Sequence, residues 1–232
     1  MKACVFGLSD FPFGKKALPD ERLEKVKELY RSQKVTSIQV EFTTEKDLKT
    51  ADAIVCPQDK KLDLILLDID VLEVRSTKPL TDQEQALVQR CQDLLGQEKP
   101  LSEGTFTDEE RKWLGNNNLV TNKPIVLILP EEVAQLPLLT RKVFDAAGRV
   151  LFLTGGPKEA RAWEIRKNAT ALEAAECIHS DIARGFIRAE VMAYNDLIKA
   201  GNVHEAKNTS LRQEPKNYVV QDGDVIEFKF SV

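Results

Sequence analysis

Cysteine and histidine are scarce in this chain of 232 residues, which holds four of the first and two of the second. Neither His179 nor His204 has a second ligand at metal-binding spacing. The cysteines form no C-x-x-C pair, which argues against a disulfide framework or a zinc site; they are Cys4, Cys56, Cys91 and Cys177. We therefore predict no metal and no cofactor.

Long apolar runs are also missing. The most apolar stretch, residues 124–130, is bracketed by prolines and is far shorter than the ~20 residues that span a bilayer. The apolar stretch at the N-terminus is too short for the core of a signal peptide. We expect a cytoplasmic protein with no membrane segment.

The chain has no excess of positive charge. Its net charge is −4, and residues 149–232 hold twelve basic and twelve acidic residues. This balance argues against strong non-specific affinity for nucleic acid, and we predict no DNA ligand. Any RNA contact would depend on the local placement of charged residues.

Alternating strand and helix patterns in residues 1–148 predict a small α/β domain. Capping boxes that begin at Thr81 and Thr107 each open a helix. Together with a helix over residues 62–75 they form a predicted helical insertion at about 60–115. Short apolar stretches predict the strands, near residues 2–8, 38–42, 53–56 and 124–130.

The helix over residues 62–75 carries both apolar and acidic side chains. Five apolar residues form a predicted buried stripe: Leu62, Ile65, Leu66, Ile69 and Leu72. The acids are then expected on the solvent side, where they decorate the surface rather than catalyse a reaction; they are Asp63, Asp68, Asp70 and Glu73.

Residues 149–232 predict an α+β domain. The sequence Gly155-Gly156-Pro157 is typical of a hairpin turn, and a capping box at Thr170 opens a helix. Strands follow around residues 187–193 and on both sides of residues 221–224. This ββαβ…ββ order is compatible with a ubiquitin-like β-grasp fold.

Two strings in this part are specific. Residues 184–190 read Arg-Gly-Phe-Ile-Arg-Ala-Glu, and residues 222–225 read Asp-Gly-Asp-Val. With residues 154–163, they resemble the TGS domain of the Obg-related YchF GTPases. That resemblance implies a β-grasp module linked to translation, with the ribosome or RNA as a possible partner. Residues 2–8, 18–23 and 122–125 are similar, more thinly, to the GTPase domain of the same family.

The phosphate-binding loop of such GTPases does not stand intact in this sequence. Its pattern, G-x-x-x-x-G-K-[ST], wraps phosphates with backbone N–H groups and binds Mg²⁺ through the hydroxyl. Here six residues separate Gly7 from Gly14, two too many, and Lys15 is followed by Lys16. Residues 43–46 lack the Asp-x-x-Gly of the second switch, and residues 130–132 replace the base-recognition motif.

These observations predict a truncated, degenerate GTPase-like domain over residues 1–148 and a TGS domain over residues 149–232. We expect a non-catalytic interaction or regulatory protein that docks the ribosome or RNA. One alternative is a protein that still binds or hydrolyses GTP or ATP, with a weak purine-nucleotide site at Gly7, Gly14 and Lys15. A second alternative is a small-ligand sensor.

Three arginines in the tail are candidates for contact with a partner: Arg161, Arg184 and Arg188. Arginine suits bidentate contact with phosphate or carboxylate groups. The same residues could instead form internal salt bridges or pack their stems. The adjacent residues His179, Ser180 and Asp181 do not predict a catalytic triad, since neighbours in sequence cannot face one another as a triad requires.

Overall fold

The computed structural model describes residues 1–231 and divides into two compact units. The front unit comprises Met1–Lys16 and Val40–Ala147, and the back unit comprises Ala17–Gln39 and the chain from Gly148 onward. Residues 17–39 therefore pack in the back unit, whereas the predicted domain 1–148 assigns them to the first.

The chain forms eleven strands and nine helices within its described residues. The strands are β1 (Lys2–Val5), β2 (Gly14–Ala17), β3 (Lys34–Thr36), β4 (Gln39–Thr43), β5 (Ala53–Pro57), β6 (Ile125–Ile128), β7 (Arg149–Gly155), β8 (Glu159–Arg166), β9 (Phe186–Ala193), β10 (Arg212–Glu214) and β11 (Asp224–Phe230). The helices are α1 (Glu21–Tyr30), α2 (Lys61–Ser76), α3 (Asp82–Gly96), α4 (Asp108–Asn116), α5 (Leu136–Ala146), α6 (Ala171–Ile178), α7 (Ser180–Arg184), α8 (Tyr194–Ala200) and α9 (Val203–Ser210).

The sheet of the front unit has the strand order β2-β4-β1-β5-β6. Strands β4, β1, β5 and β6 run parallel. Apart from the exposed Lys2, the residues of β1 and β5 are buried, as expected for the centre of a parallel sheet. The predicted α/β character of this part is confirmed.

Three helices, α2, α3 and α4, form the region for which a helical insertion is predicted, and they share a core of their own. Capping boxes at Thr81 and Thr107 begin α3 and α4, as predicted. The core of the insertion is aliphatic and includes Ile65, Leu72, Leu87, Val88, Cys91, Leu95 and Leu114.

The predicted buried stripe of α2 is confirmed at Ile65 and Leu72 and wrong at Leu62 and Leu66. Leu66 is 55% exposed, whereas Asp68 is completely buried. The carboxylate of Asp68 accepts hydrogen bonds from the backbone N–H groups of Val120 (2.7 Å) and Thr121 (2.8 Å) and from the Thr121 hydroxyl (2.5 Å). Asp68 thus satisfies the start of the short 3₁₀ turn Val120–Asn122. This requirement turns Asp68 inward, so α2 rotates relative to its apolar pattern.

The sheet of the back unit has the strand order β10-β9-β11-β7-β8-β3. Strands β7 and β8 form the predicted hairpin, with its turn at Gly155-Gly156-Pro157. Strand β11 lies between β7, to which it is parallel, and β9, to which it is antiparallel. Strand β3 adds to the outer edge of β8 in parallel orientation.

Helices α1 and α6 cover opposite faces of this sheet. Phe152 packs with residues of α6, including Ala171 and Ala174. A Cβ atom built on Gly155, three positions along the strand and therefore on the other face, would lie 2.5 Å from the ring of Tyr30 in α1. Both faces of the sheet are closed because residues 17–39 supply the second cover.

Helix α1 is also fixed by polar contacts within the back unit. Asp20 caps the helix by accepting from the Arg22 backbone N–H at 2.9 Å. The Arg22 guanidinium bridges Asp20 (2.6 Å) and Asp222 (2.8 Å). Ser32 donates to the carbonyl oxygen of Gly156 at 2.7 Å. These contacts tie residues 17–39 to both ends of the tail.

Several short elements were not predicted, namely β2, β3, β10, α8 and α9. The three strands have three or four residues and mostly polar sequences, so no alternation of apolar residues marks them. Within residues 1–231, no helix combines the length and the apolar character needed to cross a membrane.

Candidate functional site

A cavity lies at the carboxyl ends of β1 and β4 in the front unit. Strand β1 has a parallel neighbour on each side, so the chain leaves it at a topological switch point, where open α/β sheets bind ligands. The cavity has a volume of about 550 Å³ and is lined by Val5, Gly7, Leu8, Ser9, Phe13, Thr44, Glu45 and Lys46. Its position is that expected of a nucleotide site.

The backbone N–H of Gly7, a residue that lines the cavity, already has an acceptor. The Gly7 N–H donates to Glu45 Oε1 at 2.9 Å. Glu45 begins the short 3₁₀ turn that follows β4, in the stretch where the sequence lacks an Asp-x-x-Gly motif. The carboxylate of Glu45 therefore accepts from a backbone N–H that a phosphate-binding loop would offer to phosphate.

The structure separates the predicted nucleotide residues. Gly7 lines the cavity, whereas Gly14 and Lys15 lie in β2, on the outer edge of the sheet. The chain thus leaves the loop as an edge strand, and no helix begins directly after the loop in the described residues. A phosphate bound there would lack the helix N-terminus that normally stabilises it.

The region predicted to replace base recognition is structural. Glu132 accepts from the Leu129 N–H at 2.7 Å and pairs with Lys142 at 2.8 Å. These contacts, the Lys142 hydrogen bond first, lower the pKa of Glu132. Both interactions hold the entry to α5.

Two of the three candidate arginines in the tail have acidic partners. Arg184, whose side chain is 73% exposed, pairs with Asp181 at 2.7 Å. Arg188 pairs with Glu190 at 3.1 Å. The structure therefore shows internal ion pairs for both residues.

Arg161 differs from the other two. Its guanidinium lies over the ring of Trp163, 4.0 Å from the centroid. Within residues 1–231, the side chain of Arg161 forms neither a hydrogen bond nor an ion pair, and its Nε is buried without an acceptor. The indole N–H of Trp163 donates to the Thr154 hydroxyl at 3.0 Å, which fixes the ring beneath the guanidinium.

The Asp-Gly-Asp string near the C-terminus holds the fold together. Asp222 accepts from the Leu151 N–H at 3.0 Å as well as from Arg22. Gly223 has a φ of 86°, which favours glycine. Asp224 is buried and accepts from the Tyr218 hydroxyl at 2.8 Å; burial first, and then Asp224, raise the pKa of Tyr218 to about 12.

Residues 150–231 match a protein-family model described as YchF-GTPase_C, a protein of unknown function. Over 93% of its length the chain is 27% identical to the Ribosome-binding ATPase YchF of Bacillus subtilis, 88% of which is covered. The chain is similar to YchF proteins along most of its length. The match to the YchF C-terminal domain lies in its back unit.

Further relatives align over a shorter part of this chain at higher identity. Obg-like ATPase 1 of Oryza sativa subsp. japonica is 46% identical over 42% of this chain, and that of Homo sapiens is 45% identical over 41%. The alignments cover about a quarter of those relatives, 25% and 24% of their lengths.

The fold is shared more widely than the sequence. The structure of the Schizosaccharomyces pombe YchF GTPase matches with a TM-score of 0.80 at 16% identity, covering 99% of this chain and 97% of that one. A GTP binding protein from Pyrococcus horikoshii OT3 matches with a TM-score of 0.55 at 13% identity, over the whole of both chains. The chain is therefore a mixed α/β protein with the fold of a YchF GTPase.

Sequence reasoning missed Glu45 and Asp68 in this YchF-like chain. Glu45 meets Gly7 across 38 positions of sequence, and no local pattern announces that contact. For Asp68, the interruption of an apolar helix face was the available signal.

Proposed function

We propose that this YchF relative is a non-catalytic interaction or regulatory protein, which docks the ribosome or RNA through its C-terminal domain. The observation that carries the proposal is the hydrogen bond between the Gly7 N–H and Glu45, by which the chain fills its own anion-binding donor. A relative that aligns over most of the chain is named a ribosome-binding ATPase.

The strand arrangement supports a TGS domain of β-grasp type in residues 149–232. The strands of that segment have the order β8-β7-β11-β9-β10. Strands β7 and β11, the first and the last along the chain, are parallel neighbours, and α6 lies across one face of the sheet. That is the order of a ubiquitin-like β-grasp module. A module of this kind offers surface and shape for docking and brings no chemistry of its own.

The front unit supports the loss of hydrolysis. Phosphoryl transfer needs a cradle of backbone N–H groups, a lysine on the phosphates and a held Mg²⁺. In this chain Lys15 lies in an edge strand and the Gly7 N–H is bound to a carboxylate. Placing the negative charge of Glu45 at the loop repels a phosphate instead of attracting it. We propose that this unit is a truncated GTPase-like domain that serves as a scaffold. The alignment with the Bacillus subtilis protein extends over 321 positions, more than the 232 residues of this chain, so the alignment contains internal gaps in this chain.

Two measurements test the proposal. The purified chain is sedimented with ribosomes through a sucrose cushion, and GTP and ATP are titrated into it with Mg²⁺ by calorimetry. We expect co-sedimentation that does not depend on nucleotide, together with no turnover. Mg²⁺-dependent hydrolysis at a sustained rate would contradict the non-catalytic reading, and failure to sediment would contradict ribosome docking.

The second candidate is a protein that still binds a purine nucleotide. The names of the relatives, which include ATPase and GTPase, and the 550 Å³ cavity at the switch point favour it. It predicts that a nucleotide binds saturably and raises the melting temperature of the chain, and that Lys15→Ala reduces this rise. No shift with any of GTP, GDP, ATP or ADP would exclude it.

A further inference from the structure

We propose that Arg161, stacked on Trp163, is the residue through which the C-terminal domain binds RNA, with its guanidinium on a phosphate or against a base. The inference rests on the proposed docking function and names the site within it. Its basis is an arginine that the fold positions and partly desolvates and yet gives no acceptor.

The terminal nitrogens of Arg161 are the groups that an external ligand can reach. Nε is cut off from solvent and cannot itself contact a ligand, whereas the terminal nitrogens are not fully buried and have no partner within the described residues. A charged donor without an acceptor is unfavourable wherever it is partly desolvated, and native structures pair nearly all buried groups of this kind. The indole fixes one face of the guanidinium. The free edge and the opposite face are left to a ligand.

The acidic residue next to Arg161 on the same face of β8 forms its direct contacts with residues other than Arg161. Glu159, two residues earlier on the same strand and face, accepts from the Thr36 hydroxyl at 2.5 Å and pairs with Lys34 at 3.4 Å. Both partners belong to β3, which pairs with β8 in register with these residues. The Thr36 hydrogen bond first, and more weakly the charge of Arg161, lower the pKa of Glu159. Arg161 thus lies within electrostatic reach of Glu159, but the direct contacts of this carboxylate are with β3.

The chemistry of the pair fits RNA. A guanidinium binds phosphate through two parallel N–H groups, and single-stranded RNA is recognised by stacking bases on aromatic rings and arginine planes. The back unit is nearly neutral, because residues 17–39 hold five basic and four acidic residues and residues 149–232 hold twelve of each. Without bulk attraction, docking must rely on an oriented local contact of this kind.

Arg184 and Arg188 are the matched comparison in the same domain. Each already pairs with a carboxylate, Asp181 and Glu190 respectively. Arg188 Nε is buried without an acceptor, as Arg161 Nε is, so the difference between the two lies in the ion pair of Arg188 with Glu190. An exposed ion pair presents little net charge to an approaching phosphate. Arg161 is therefore singled out from the three candidates.

The test uses the full chain with purified ribosomes and, separately, with ribosomal RNA stripped of protein. Wild type is expected to bind both. We expect Arg161→Ala to weaken binding to both by about tenfold or more, in the range found for lost stacking and charge contacts. Arg161→Lys keeps the charge but loses the plane and the paired N–H groups, so it should restore little. Arg184→Ala should bind as wild type does. Circular dichroism and thermal melting establish that each variant folds.

A second measurement does not depend on affinity. Cys177 is exposed, while Cys4, Cys56 and Cys91 are buried. Its thiol donates to the Glu164 carbonyl beside β8, and the charge of Arg161 acts on it. A short photo-crosslinker on Cys177 should therefore attach to RNA when the labelled chain is bound to ribosomes.

The outcomes separate the two ideas. Wild-type binding that Arg161→Ala leaves unchanged overturns the role of Arg161 and leaves ribosome docking standing. Binding to ribosomes but not to stripped RNA, with crosslinks to protein alone, also overturns the inference, because the partner is then a protein carboxylate. If wild type binds neither, the proposed function and the inference fail together.

Discussion

Replacing Asp68 by alanine tests how the helical insertion is fixed to the front unit. Asp68 is completely buried, and its two oxygens accept three hydrogen bonds from Val120 and Thr121. The Thr121 hydroxyl in turn accepts from the Leu101 N–H at 3.2 Å. One carboxylate thus organises two turns that border the core of the insertion.

The expected cost follows from the groups left behind. Alanine leaves the backbone N–H groups of Val120 and Thr121 buried without an acceptor, at about 1–3 kcal/mol each. The lost methylene packing is small beside this. We expect Asp68→Ala to lower the free energy of unfolding of the front unit by about 3–5 kcal/mol, a large share of an ordinary domain's stability. Asp68→Asn, which keeps one acceptor oxygen, should cost less.

The two tryptophans allow the measurement to be made unit by unit. Trp113 lies in the front unit and Trp163 in the back unit. Urea unfolding is followed by fluorescence in a Trp163→Phe background for the front unit and in a Trp113→Phe background for the back unit. A loss below about 1 kcal/mol in the front unit would refute the reasoning, as would an equal loss in both units.

The same residue gives a pH dependence of known sign. Burial raises the pKa of Asp68 above its ordinary 3.8, although its hydrogen bonds oppose the shift. The folded chain then holds this proton more tightly than the unfolded chain. The contribution of Asp68 to stability is full below pH 3.8 and falls as the pH rises through the folded pKa. The difference in unfolding free energy between wild type and Asp68→Asn should shrink over that interval; a constant difference would contradict the assignment.

Three further predictions concern the back unit and the thiols. Arg22→Ala should lower the unfolding free energy reported by Trp163 by about 1–3 kcal/mol. Lys25→Ala is the exposed control and should leave that free energy nearly unchanged; equal effects of the two variants would contradict the bridge. Gly155→Val should cost about 2 kcal/mol or more through the ring of Tyr30, and a melting temperature unchanged from wild type would argue against that packing. A thiol reagent should modify Cys177 alone in the native chain and all four cysteines in urea. The reason is that burial raises the pKa of the other three thiols, Cys4, Cys56 and Cys91, to about 11 or 12. A second thiol that reacts fast in the native chain would contradict the burial of these three.

Local patterns could be predicted from the sequence because local contacts carry them. The capping boxes at Thr81, Thr107 and Thr170 each involve a glutamate three residues later, and all three form. The turn at residues 155–157 joins two strands that pair along their whole length. In each case, residues within a few positions satisfy one another, so the sequence contains the complete interaction.

Contacts between distant residues could not be predicted in the same way. The helix pattern of residues 21–30 reveals an apolar face with Leu23 and Val26 but does not say which sheet that face covers. Its true position depends on shape at Gly155 and on the acceptor offered by Asp222, both more than 100 residues away. The same holds for the partner of Glu45 at the candidate nucleotide site.

The strings that reveal the YchF relationship do not thereby reveal the function. Asp222 and Asp224 use their carboxylates on backbone N–H groups, Arg22 and Tyr218 of the same unit, and so build the domain. Arg188, within the other string, is paired with Glu190. Groups with internal partners stabilise the fold and have little left to offer a ligand. A docking role must therefore be sought in charged groups that the fold orders but leaves without an ionic partner. Among the candidate arginines of the tail, Arg161 meets that condition within the described residues, whereas Arg188, whose Nε is likewise buried without an acceptor, pairs with Glu190.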